Sequence, residues 1–131
     1  MKLLNILAAV VLTVSVSSAE DVMKKSMSLM EQGMTQIQQG FLNNNVELIR
    51  SGSKLVRDGN NLFSDKEVIA QYLQSDKKHM VNVAANAAKR IDLDVNVLEL
   101  NLDDKAYINA ANAYSDILNA CARCHSIVRS W

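Results

Sequence analysis

The chain has 131 residues, with 14 basic and 14 acidic side chains, 5% aromatics and no proline. This even charge lacks the basic footprint of a nucleic-acid binder. The abundance of alanine, leucine, methionine and glutamine favours helix, and the length suits one small domain, so an all-α fold is expected.

Residues 1 to 19 read as a secretory leader. Met1 and Lys2 give a short positive start, Leu3 to Val16 an apolar stretch, and Ser17-Ser18-Ala19 a small-residue cleavage site. Cleavage after Ala19 would leave residues 20 to 131 as a single domain outside the inner membrane, in the periplasm. Lys2 leaves with the leader, so the remainder carries a formal charge of minus one. The apolar stretch is short for a stable membrane span, and no later segment approaches the roughly 20 apolar residues that a spanning helix needs. No cysteine follows the cleavage site to take a lipid anchor.

The spacing predicts a first helix from Asp21 to Leu42, with Met23, Met27, Met30, Met34 and Ile37 along one face and Asn43-Asn44-Asn45 ending it. Asn44 and Glu47 are placed as a capping pair for a second helix, which carries Ile49, Leu55 and Val56. It is weakened by Gly52 and fades at Gly59-Asn60-Asn61. Ser64 and Glu67 repeat the capping pattern before a third helix, which runs through Val68, Ile69, Tyr72, His79, Met80, Val83, Ala84 and Ala87 to about Arg90. Ile91, Leu93, Val95 and Val97 then alternate with polar residues, the period of a strand, and read as an extended crossover. The fourth helix is expected from Asp103-Asp104 to the neighbourhood of Trp131. In it Tyr107, Ala111, Tyr114, Leu118, Cys121, His125 and Val128 recur at alternating steps of four and three, an apolar stripe expected to face the core.

Both cysteines of the chain fall in that helix, in the run Cys121-Ala122-Arg123-Cys124-His125. This is the C-x-x-C-H pattern of covalent haem attachment. On a helix, spacings of three and four bring both sulfurs and the imidazole to one face. Two thioether links from Cys121 and Cys124 can then hold a porphyrin while His125 reaches the iron. An export signal supports the same reading independently, since bacterial attachment of haem c takes place outside the inner membrane.

Other readings use the same residues. A C-x-x-C pair serves thiol-disulfide exchange, but usually where a helix opens after a strand in a βαβ setting rather than near the end of a helix. Cys121, Cys124, His125 and the other histidine, His79, would make four zinc ligands by count, without the usual finger spacing. A chance match is the remaining alternative, weakened because no cysteine is left over. His79 is also a candidate second iron ligand, although Asp76, Lys77 and Lys78 beside it suggest a partly solvated turn.

Four helices with C-x-x-C-H on the last resemble the class II c-type cytochromes, the cytochrome c-prime group. The resemblance covers the layout of the mature chain and a few positions in detail. It implies an antiparallel four-helix bundle with one covalently bound haem c. In that family a basic residue commonly follows the haem histidine by four positions, and Arg129 fills that place. The distal residue lies about sixteen residues before the first interhelical loop, which corresponds to Met27. The basic residue that helps hold a propionate has no counterpart at its aligned place, Met23, where Lys24 or Lys25 can substitute.

Met27 divides the functional expectations. If its thioether binds iron opposite His125, the haem is six-coordinate and low-spin, suited to one-electron transfer with periplasmic redox proteins. If it only packs over the ring, the iron is five-coordinate and open to nitric oxide or carbon monoxide. Met30 and Met23 share its stripe and are the substitute ligands in a shifted register, while core packing alone also accounts for methionines at this spacing. No second titratable group is evident over the iron, so a catalyst is not expected. A homodimer through the first two helices is common in the family, but Gln32, Gln36, Gln39 and Glu47 give no clear apolar seam.

Overall fold

The computed structural model describes residues 19 to 129, with side chains from Asp21 onward. Apart from Ala19, the leader read at residues 1 to 19 lies outside the described residues. Those residues form an all-helical structure: α1 (Ala19–Leu42), α2 (Val46–Phe63), α3 (Lys66–Tyr72), α4 (Val81–Asp103) and α5 (Tyr107–Val128), with a 3-10 turn at Ser75–Met80 before α4. None of these helices is long and apolar enough to cross a membrane.

The first two helices meet unusually closely because their facing positions carry no side chain. A Cβ on Gly33 would lie 2.5 Å from the Gly52 carbonyl oxygen, and one on Gly40 2.5 Å from Ile49. At the other end the buried Ser26 hydroxyl donates to the Gly59 carbonyl at 2.7 Å. Positions 26, 33 and 40 thus meet 59, 52 and 49 in reverse order, so α1 and α2 run antiparallel. The glycines in α2 do not weaken the helix to the point of fading at Gly59. Close packing offsets their cost of about 1 kcal/mol each, and α2 continues to Phe63.

Both expected caps act one residue later than the spacing suggests. Asn45 accepts from the Leu48 backbone N–H, and Asp65 from those of Glu67 and Val68. Asn44 instead takes φ 52°, a left-handed conformation that asparagine tolerates. Ser64 donates back to the Asn61 carbonyl.

The expected third helix is divided. α3 ends at Tyr72, and Leu73 is extended, so the chain re-enters helix only after the 3-10 turn. The extended crossover is the larger correction: residues 91 to 97 lie in the middle of α4. Ile91, Val95, Leu98 and Leu102 form its buried face, whereas Leu93 and Val97 are on the opposite side, 49% and 45% exposed. Apolar residues on two faces of one helix produced the period of a strand. A third correction concerns α5, which starts at Tyr107, after Lys105 at φ 56°. Its buried stripe is Ala110, Ala113, Ile117, Ala120, Cys124 and Ile127, one residue round from the expected stripe.

The interior forms two clusters. One joins Ile37, Ile49, Val56, Ile91, Val95, Leu98 and Ile117; the other joins Phe63, Ile69, Leu73, Ala84, Ala87, Cys124 and Ile127. Met27 packs against both. Between α2 and α4, Arg50 bridges Glu99 at 2.5 Å and Asp103 at 2.7 Å, Ser53 donates to Glu99, and Asn60 donates to the Ala88 carbonyl at 2.9 Å.

Candidate functional site

Where the two clusters meet, a pocket of about 290 Å³ opens between four helices. From α5, Cys121, Cys124 and His125 line it together, as the three- and four-residue spacing predicts. Leu118 one turn before and Arg129 one turn after extend that wall. Met27, Met30 and Met34 line it from α1, with Glu31 at its edge, and Ala88 and Ile91 from α4. α2 supplies Phe63 and Asn60. The side of α5 that carries Leu118, Cys121 and His125 therefore serves the pocket, while the adjacent stripe packs the core.

Burial shifts the protonation of all three groups. Desolvation, and then the neighbouring Cys124, push the Cys121 thiol up to about 11. Cys124 is raised by desolvation. Both are held as thiols at neutral pH, the form least prone to oxidation. Desolvation, aided by the charge of Arg129, lowers the pKa of His125. The imidazole is thereby kept neutral, the form whose ring nitrogen can ligate a metal.

The methionines named by the spacing part company. Met30 is buried, and both it and Met27 line the pocket; Met23 does not, and packs instead against the cluster around Phe63 and Ile69. Its backbone N–H reaches the Tyr72 hydroxyl at 3.4 Å. His79 is exposed in the 3-10 turn and is not among the pocket residues, so the four-ligand zinc set is not assembled. Among the described residues no group of three or more histidine, cysteine, aspartate or glutamate side chains is placed to hold a metal on its own.

Asn60 is a site residue that the sequence does not mark, because Gly59-Asn60-Asn61 reads as a helix end. It is 2% exposed. Its Nδ2 is committed to Ala88, while its Oδ1 is buried with no hydrogen-bond partner. Buried acceptors are rarely left unmatched, and a bridging water is the ordinary donor that completes one. Phe63 is likewise unmarked in the sequence, because one apolar side chain is like another until the fold selects those that face a pocket, whereas Leu118 lies on the stripe expected to carry Cys121 and His125.

These residues fit a covalently held haem. Two thiols and a neutral imidazole project from one helix, thioethers face them from another, and aliphatic and aromatic side chains supply an apolar wall for a flat ring. No protein-family model, curated protein or solved structure matches the chain.

Proposed function

We propose that this chain is a periplasmic monohaem cytochrome of the class II c-type, an antiparallel four-helix bundle that carries single electrons between periplasmic redox proteins. The reading rests on one observation: Cys121, Cys124 and His125 line, from α5, the same apolar pocket that Met27 lines from α1. Bound haem c would supply a one-electron couple at its iron.

The chain's own residues would do the rest. Cys121 and Cys124 provide the two thioether anchors, and His125 the proximal nitrogen. Met27 offers a soft sulfur on the α1 side, a ligand pair with histidine that raises potential and favours electron transfer over ligand binding. Met30, Met34, Phe63 and Ile91 exclude water. Arg129, at the pocket's edge one turn beyond His125, adds a positive charge that can meet an acidic edge of the cofactor.

Visible spectra of protein exported with haem-attachment machinery test this reading. A low-spin ferric spectrum and a ferrous form indifferent to carbon monoxide are expected. A high-spin spectrum that shifts with carbon monoxide would instead make the protein a five-coordinate gas binder. Absence of covalent haem would overturn the cytochrome reading altogether.

A further inference from the structure

The outer face of α4 is apolar and is left uncovered by the described residues. Leu93, Val97 and Leu100 are 49%, 45% and 63% exposed and recur at steps of four and three, directly opposite the buried face of the same helix. Lys89 precedes Leu93 by four residues, and Asp104 follows Leu100 by four. Both are exposed, and neither has a side-chain partner among the described residues. The stripe is therefore basic at one end, acidic at the other and apolar between. Asp104 also caps the C-terminal end of α4, where the helix dipole disfavours an acid and the last turn holds no basic residue.

We propose that this face binds a second copy of the chain, with the two α4 helices antiparallel about a two-fold axis beside Val97. That axis places Val97 against Val97, Leu93 against Leu100, and Lys89 against Asp104 of the other copy, twice over. A parallel arrangement would instead set Asp104 against Asp104. The pattern is self-complementary, as an isologous interface requires. One helix pair buries less than a standard interface, so the dimer forms at high protein concentration and dissociates on dilution. It leaves the haem reading untouched, because the stripe lies on the other side of α4 from Ile91 and the pocket.

Sedimentation over a range of concentrations, with far-ultraviolet circular dichroism to verify folding, tests the interface. The wild-type mass should rise from one chain to two. Val97→Glu sets two acids against each other across the axis and should weaken dimerisation about 100-fold or more, with helicity unchanged. Lys89→Glu and Asp104→Lys should each weaken it about two- to fivefold, and the double variant should restore it. A chain that stays monomeric throughout, a dimer indifferent to Val97→Glu, or a double variant no better than the singles would overturn the proposal. So would monomeric protein that binds vesicles of anionic phospholipid through Val97, which would assign the face to a membrane surface.

Discussion

Met27 and Asn60 carry the sharpest consequences at the scale of single residues. If Met27 ligates the iron, Met27→Ala should convert a low-spin ferric spectrum to high-spin and admit carbon monoxide to the ferrous protein; an unchanged spectrum would shift attention to Met30, the buried thioether of that wall. Asn60→Ala removes the Nδ2 bond that ties α2 to the Ala88 carbonyl and also removes the unmatched Oδ1. Losing a buried hydrogen bond costs about 1 kcal/mol, while losing an unsatisfied acceptor returns part of that. Chemical denaturation should therefore show a loss of about 1 kcal/mol or less in protein without haem. A larger loss in haem-loaded protein would mean that Asn60 also supports the walls of the loaded pocket. Cys121, Cys124 and His125 were legible from sequence because their chemistry is written in adjacent positions. Asn60 was not, since its role depends on which residues of three other helices surround it.

The same contrast holds for whole elements. Glycines at 33, 40, 52 and 59 recur at heptad intervals in two segments, a pattern visible in sequence. Its meaning, a close antiparallel contact, appears only once α1 and α2 are side by side. An exposed Gly→Ala change inside a helix ordinarily stabilises by about 1 kcal/mol. Gly33→Ala should reverse that sign, because the new methyl would sit 2.5 Å from one backbone carbonyl and 2.7 Å from Val56. Neither neighbour is the free end of a long side chain, so the helices must separate. A net loss of about 1 to 3 kcal/mol is expected from thermal or urea unfolding, and a gain would mean that α1 and α2 are less tightly apposed. In α4 the pattern misled for the opposite reason. Periodicity reports burial only when one face is apolar, and Leu93 and Val97 put a second apolar face on a helix already buried through Ile91 and Val95. The turn-forming residues near 44 and 64 marked the right loops. Which of two adjacent polar residues becomes the cap depended on backbone geometry, with Asn45 and Asp65 taking the role.

Across the molecule, the pocket lies where two hydrophobic clusters meet, and this makes cofactor loading a matter of stability as well as function. The cluster containing Ile37, Val56, Val95, Leu98 and Ile117 is held by the close α1–α2 contact and by the Arg50 bridges from α2 to α4. The other, containing Phe63, Ile69, Leu73 and Ile127, draws on the short α3, the exposed 3-10 turn and the end of α5, with Lys77 donating to the Ile127 carbonyl as one cross-tie. Local opening is easiest where elements are short and backbone is exposed. A haem joined to Cys121 and Cys124 would rest on side chains from both clusters, Ile91 from one and Phe63 and Cys124 from the other, with Met27 packed against both. Hydrogen exchange comparing loaded protein with a Cys121→Ala/Cys124→Ala variant, which cannot attach haem covalently, should show this asymmetry. Amides of α3 and the last turns of α5 should exchange at least about tenfold faster in the variant, an opening free energy lower by about 1.4 kcal/mol, while those around Ile37 and Val56 change little. Equal acceleration throughout would mean that the two clusters unfold as one unit and that the pocket is no boundary between them.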